Sequence, residues 1–233
     1  MRIRTGITGE EKGRGKEKTM LLYDYFRSSA SFRVRIGLNL KGIVPERSPV
    51  HLLNDGGDQF SDSFIGVNPQ QLVPVLEDGD LVIIQSMAIL EYLEVTHPEP
   101  PFLPYSAAAR ARVRSLAQVI ACDLHPLNNL RVLKYLKDEL SRSEEERNDW
   151  YRHWVSKGLA AFEALVTGHK DTGSFCHGDV PGLADITLVP QIFNAKRFNC
   201  PLDDYQAVMA IFENCMTVPA FIEAKPDNQP DAG

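Results

Sequence analysis

Apolar positions fall into two regimes along the chain, short extended runs up to about residue 85 and helical periodicity beyond about residue 105. The run Met20-Leu21-Leu22-Tyr23-Asp24-Tyr25 is apolar and aromatic, which suits a buried strand. After Arg27-Ser28-Ser29-Ala30-Ser31 the spacing changes to that of a helix, with Phe32, Ile36 and Leu40 on one stripe. The chain should leave this helix at Lys41-Gly42, since glycine accommodates the left-handed residue that ends many helices. A second strand is predicted over Val44 to Leu53, confined to a sheet edge by Pro45 and Pro49. A Gly/Asp-rich loop, Asn54 to Asp58, comes next. Two apolar runs, Leu72 to Leu76 and Leu81 to Ile84, flank an Asp-Gly turn and predict a hairpin. Gln85-Ser86 then opens a helix to Thr96, with Ser86 as its expected N-cap.

The proline-rich stretch from Pro98 to Pro104 reads as a linker. Beyond it, Ala107 to about Leu140 has one amphipathic pattern, which Pro126 should break because it lacks an N–H. Ser143 to Val166 and Gly182 to Phe198 carry further helices, and Lys225 to Gly233 reads as a polar tail. The expected fold is thus an α/β half followed by an all-helical half. Residues 1–19 mix Arg, Lys, Glu and Gly with few apolar side chains, and read as a disordered leader outside the fold.

Composition narrows the function classes. The 233 residues are 43% hydrophobic and carry a net charge of −6, which disfavours a general nucleic-acid binder while leaving room for local arginines to hold a small anion. No apolar run reaches the length of about 18 residues needed to cross a bilayer. The four cysteines have neither C-x-x-C nor metal-ligand spacing, so no metal site is expected and reduced, structural thiols in a cytoplasmic protein are.

Three places could carry chemistry. Ser28 and Ser29 lie between a strand and a helix, where a serine can hydrogen-bond a ligand sulfur and the helix N-terminus favours an anion; a capping role alone is the alternative. Val73-Pro74 and Gln85-Ser86 could present main-chain groups and a helix start to a peptide-like carboxylate ligand. The segment Asp123-Leu124-His125-Pro126-Leu127-Asn128-Asn129-Leu130-Arg131 is densely polar within an apolar helix. It could line a polar pocket or form an interhelical or subunit contact, and the break at Pro126 leaves its faces unassigned.

On these residues the chain resembles the zeta-class glutathione transferases, the family that includes maleylacetoacetate isomerase. Ser28 to Ile36 is similar to the signature S-S-C-x-W-R-V-R-I-A-L, and Asn68 to Val75, Gln85 to Leu93 and Leu183 to Phe198 match in order. The segment Cys122 to Leu136 is similar to the related maleylpyruvate isomerases.

The resemblance implies a thioredoxin-like glutathione-binding domain at 20–102, an all-helical substrate domain at 107–225, and a homodimer. It implies a cytoplasmic isomerase that uses glutathione as a cofactor to convert maleylacetoacetate to fumarylacetoacetate in tyrosine and phenylalanine catabolism. Maleylpyruvate isomerase, a general transferase and a non-catalytic glutathione-binding module are the alternatives. It assigns Ser28 and Ser29 to the thiolate and Gln59, Val73, Gln85 and Ser86 to the tripeptide. Arg27, His125, Asn129 and Arg131 would line the active site, and Arg197 would contact a dicarboxylic small-molecule substrate. Two positions depart from the family pattern. Ala30 replaces the signature cysteine, with isomerase activity expected to survive because glutathione supplies the sulfur. Gly182 stands where the family caps a helix with Ser or Thr, which should touch local stability only.

Overall fold

The computed structural model describes residues 19–232, so the predicted leader, apart from Thr19, lies outside the described residues. Strand β1 (Leu21–Asp24) runs into helix α1 (Ser29–Leu40) and then β2 (Glu46–Pro49). After two short turns and helix α2 (Asp62–Val67), strands β3 (Val75–Asp78) and β4 (Leu81–Ile84) form the expected hairpin, and α3 (Ser86–Thr96) closes this half. The sheet order is β2-β1-β3-β4, with β1 parallel to β2 and antiparallel to β3. Strand β2 is at the edge as its prolines require, but it is shorter than predicted. Gly42 takes φ 68° just past α1, as foreseen.

The helical half comprises α4 (Ala107–Gln118), a π-helical turn at Val119–Leu124, α5 (Leu130–Asp138), α6 (Glu144–Thr167), α7 (Leu183–Arg197), α8 (Gln206–Cys215) and α9 (Pro219–Glu223). The break expected at Pro126 thus begins several residues earlier. The His125 N–H donates to the Ile120 carbonyl at 2.9 Å, an i→i+5 bond that widens the helix before the proline is reached.

One apolar cluster spans both halves. It contains Leu22, Phe32, Val34, Ile36 and Leu38, continues through Ile89, Leu90 and Leu93, and runs on through Leu116, Ile120, Phe162 and Ile192. Helix α1 is its hub, packing on the sheet, α3 and α7. Gly37 permits this: a Cβ there would lie 2.3 Å from Leu90 Cδ2. On the other face of the sheet, Tyr25, Phe26, Val50, Phe64, Val73 and Val75 form a second cluster.

One local expectation needs correction, the cap of α3. Ser86 is the first residue of α3, and Gln85, at φ 73°, occupies the cap position. Gly182 keeps half of a capping arrangement, because Asp185 Oδ2 accepts from its N–H at 2.8 Å. A side chain at Gly182 would meet the Phe102 carbonyl oxygen at 2.7 Å, which explains the glycine. The polar tail is held against the fold. Residues Pro226–Asn228 form a 3₁₀ turn, and Gln229 is buried with its amide bound to the Glu223 and Lys225 carbonyls.

Among the described residues no helix is long and apolar enough to cross a membrane. No group of three or more His, Cys, Asp or Glu side chains among them could hold a metal ion.

Candidate active site

The site is built around the start of α1. Ser28 caps that helix, its Oγ accepting from the Ser31 N–H at 3.2 Å, so the capping reading holds. The cap uses the oxygen lone pair and leaves the hydroxyl proton able to donate to an anion at the helix start. Ser29 is buried, and its Oγ is held by Asn194 Nδ2 of α7 at 2.5 Å. Asn194 was missed in the sequence. The signal was available, since Gln191 and Asn194 interrupt the apolar run from Leu188 to Ala195.

Arg27 and Arg197 are exposed, at the β1–α1 turn and the end of α7, with their guanidinium carbons 4.9 Å from the Phe26 ring centroid and 5.4 Å from that of Phe198. Both act on Tyr25. Burial raises the Tyr25 pKa, and the positive fields of Arg27 and Arg197 work against that rise. The two predicted substrate arginines, from opposite halves of the chain, thus both lie within electrostatic range of Tyr25.

A second group lies on the other side of α1. Arg33 is 2% exposed and its Nη1 reaches Ser86 Oγ at 3.4 Å, while Nε and Nη2 have no partner among the described residues. Burial lowers its pKa to about 10. His125, just past the π-helical turn, has its pKa lowered to about 3 by burial and by the charges of Arg33 and Arg131. It is therefore a neutral imidazole at physiological pH, able to donate at one nitrogen and accept at the other. Asn129 caps α5 through the Arg131 N–H at 3.1 Å and places Nδ2 3.5 Å from His125 Nε2. The structure thus joins His125, Asn129 and Arg131, which the proline had left unassigned.

The remaining predicted residues lie on loops of the α/β half. Gln59 is buried, its Nε2 donating to the Leu52 carbonyl at 3.4 Å and its Oε1 unpaired. Val73 belongs to the cluster containing Tyr25, and the Val73-Pro74 peptide is cis. Exposed Gln85 donates to Gln70 Oε1 at 2.7 Å. Burial pushes up the Cys176, Cys200 and Cys215 thiols, so none of these three supplies a thiolate near neutrality.

Two helix starts bearing serines and a buried guanidinium with free N–H groups suit a ligand that carries both a thiolate and a carboxylate. Residues 18–95 match the family model described as the glutathione S-transferase N-terminal domain. The chain is 45% identical over 214 residues to a probable maleylacetoacetate isomerase of Vibrio cholerae, covering 92% of this chain and 99% of that one. A holo structure of maleyl pyruvate isomerase, described as a bacterial zeta-class glutathione S-transferase, superposes with TM-score 0.89. It is 44% identical and covers 91% of this chain and 100% of that one. A maleylacetoacetate isomerase structure from Anaeromyxobacter dehalogenans, with glutathione bound in its active site, gives TM-score 0.82. That one is 43% identical, covering 92% of this chain and 98% of the other. The chain belongs to the zeta-class glutathione transferase and maleylacetoacetate isomerase family, a family of glutathione-dependent enzymes.

Proposed function

We propose that this enzyme catalyses the glutathione-dependent cis–trans isomerisation of maleylacetoacetate to fumarylacetoacetate, a step of tyrosine and phenylalanine catabolism. The observation that carries this reading is that the helix ending at Arg197 holds Ser29 through Asn194, while Arg27 directly precedes Ser28 at the start of α1. A dicarboxylic substrate needs two cationic contacts next to a sulfur nucleophile, and arginine binds carboxylates in bidentate fashion. Glutathione, when bound, supplies the thiolate that adds to the maleyl double bond and leaves after rotation about the resulting single bond.

The chain's own residues hold and polarise. Ser28 donates its hydroxyl proton toward the sulfur, with the α1 N-terminus favouring negative charge there. Asn194 fixes the Ser29 side chain. Ser86 and the first N–H groups of α3 receive the γ-glutamyl carboxylate, with the Arg33 charge behind them. Gln59, Val73 and Gln85 line the tripeptide. Arg27 and Arg197 bind substrate carboxylates and offset charge that develops on the substrate's conjugated oxygen. Neutral His125, with Asn129 and Arg131, completes the polar wall.

The reading places a thioredoxin-like domain at residues 20–102 and a substrate domain at 107–225, in a cytoplasmic homodimer. Maleylpyruvate is the second candidate substrate, favoured by the likeness to the maleyl pyruvate isomerase structure. Turnover of both compounds, with and without glutathione, decides between them. The expected result is a higher kcat/KM for maleylacetoacetate and no turnover without glutathione. A higher value for maleylpyruvate reverses the assignment. Glutathione binding without turnover of either compound would leave a transferase or a binding module.

A further inference from the structure

We infer that Asp231, in the C-terminal segment beyond α9, is a positioning residue for the turn that carries Arg27 and Ser28. This rests on the reading of that turn as the holder of the glutathione thiolate. The turn has few contacts of its own: the Ser28 N–H donates to the Tyr25 carbonyl at 2.9 Å. The peptide groups of Phe26 are held from outside. Its carbonyl accepts from Arg35 Nη2 at 2.9 Å, and its N–H donates to Asp231 Oδ2 at 3.0 Å. Both peptide planes flanking Phe26 are thereby fixed. The Arg27 guanidinium rests over the Phe26 ring and Ser28 follows two positions later, so the pin acts on both functional groups.

The segment bearing Asp231 is attached at discrete points. Gln229 Oε1 accepts from Arg47 Nη1 at 2.6 Å, and Ala232 packs on the cluster of Tyr25, Phe26 and Val50. Between these anchors and the sheet lies a cavity of about 250 Å³, lined by Leu22, Asn39, Val44 and Pro230 among others. A polar anchor at Gln229 and an apolar one at Ala232, with Asp231 between them, describe a strap that holds the turn. The Asp231 charge is felt by Arg35 and Arg47 and also by Tyr25, so the hydrogen bond and the charge have to be separated by substitution.

Asp231→Ala and Asp231→Asn in the full-length protein test this, because Asn keeps an oxygen acceptor and loses the charge. Three quantities are read: hydrogen exchange at the Phe26 amide without glutathione, the pKa of bound glutathione from its ultraviolet thiolate band, and kcat against KM. Asp231→Ala is expected to speed Phe26 exchange at least about tenfold and to raise the bound thiol pKa by about one unit. It should lower kcat about tenfold with substrate KM within about twofold, as expected when a reacting group is misplaced. Asp231→Asn should stay within about threefold of wild type in all three. Unchanged exchange and kcat in Asp231→Ala, or an equal loss in Asp231→Asn, would overturn the inference. Wild-type protein that binds no glutathione overturns the functional reading itself, and the positioning role with it. Active wild type with an indifferent Asp231→Ala overturns the positioning role alone.

Discussion

Arg33 and Arg35 sit two residues apart on α1, both almost wholly buried, yet one is saturated and the other is not. Two helical positions differ by about 200° in direction. Arg35 points to the end of the sheet, where Asp24 Oδ1 lies at 2.8 Å from Nη1 and the Phe26 and Ala224 carbonyls at 2.9 and 3.0 Å accept its other groups. Arg47 also pairs with Asp24 there. Arg33 points between the halves, towards Ser86 and His125, with two of its nitrogens unpaired. The cost of burying a charge is offset by protein partners in the first case and left open in the second. A guanidinium of the first kind ties structure together; one of the second kind keeps N–H groups available to a further acceptor.

The largest expected effect comes from Arg35→Met, which leaves Asp24 with Arg47 alone and strips the Phe26 and Ala224 carbonyls of this donor. Loss of one partner of a buried pair should lower unfolding free energy by about 3–5 kcal/mol, read as a fall in denaturant midpoint. Arg33→Met separates the two roles. Stability should hold or rise by about 1 kcal/mol, since an under-compensated charge is replaced by an apolar chain. Glutathione affinity, by calorimetric titration, should meanwhile fall about tenfold through loss of one charge-assisted contact. A stability loss as large as that of Arg35→Met would break the comparison.

The smallest effect is in acid. The folded His125 pKa of about 3 lies below the usual 6.5, so the unfolded chain binds the extra proton between these values. Its stability contribution is complete above about pH 6.5 and declines as pH falls towards 3. His125→Asn should flatten that part of the stability–pH curve, measured by denaturant titration. Arg33→Met should end the decline at a higher pH and make it smaller, because one of the charges that depress the folded imidazole is gone while the unfolded value is unchanged.

Much of the scaffold was legible because its elements announce themselves locally. The period of α1, the Gly42 stop and the Asp-Gly hairpin each come from a few adjacent residues. Helix α2 was not legible: it has six residues, of which only Phe64 is buried, too few to show a period. The π-helical turn escaped because its i→i+5 register changes the backbone without disturbing the apolar pattern. In the site, Ser28 and Ser29 were legible from their place between a strand and a helix, while Arg27 and Arg197 came from the family pattern. Asn194, Arg33 and Asp231 are defined by partners far away in sequence.

Helix α1 is enclosed from Ser31 to Leu38 without a break. Arg27, Arg131 and Arg197, by contrast, lie at the exposed ends or beginnings of elements, where substitutions usually change stability by less than about 0.5 kcal/mol. Innovation in this scaffold is therefore cheap at the rim and dear at the hub. A library that varies the rim arginines explores new acidic substrates on an intact fold, whereas variation inside α1 spends its diversity on variants that no longer fold.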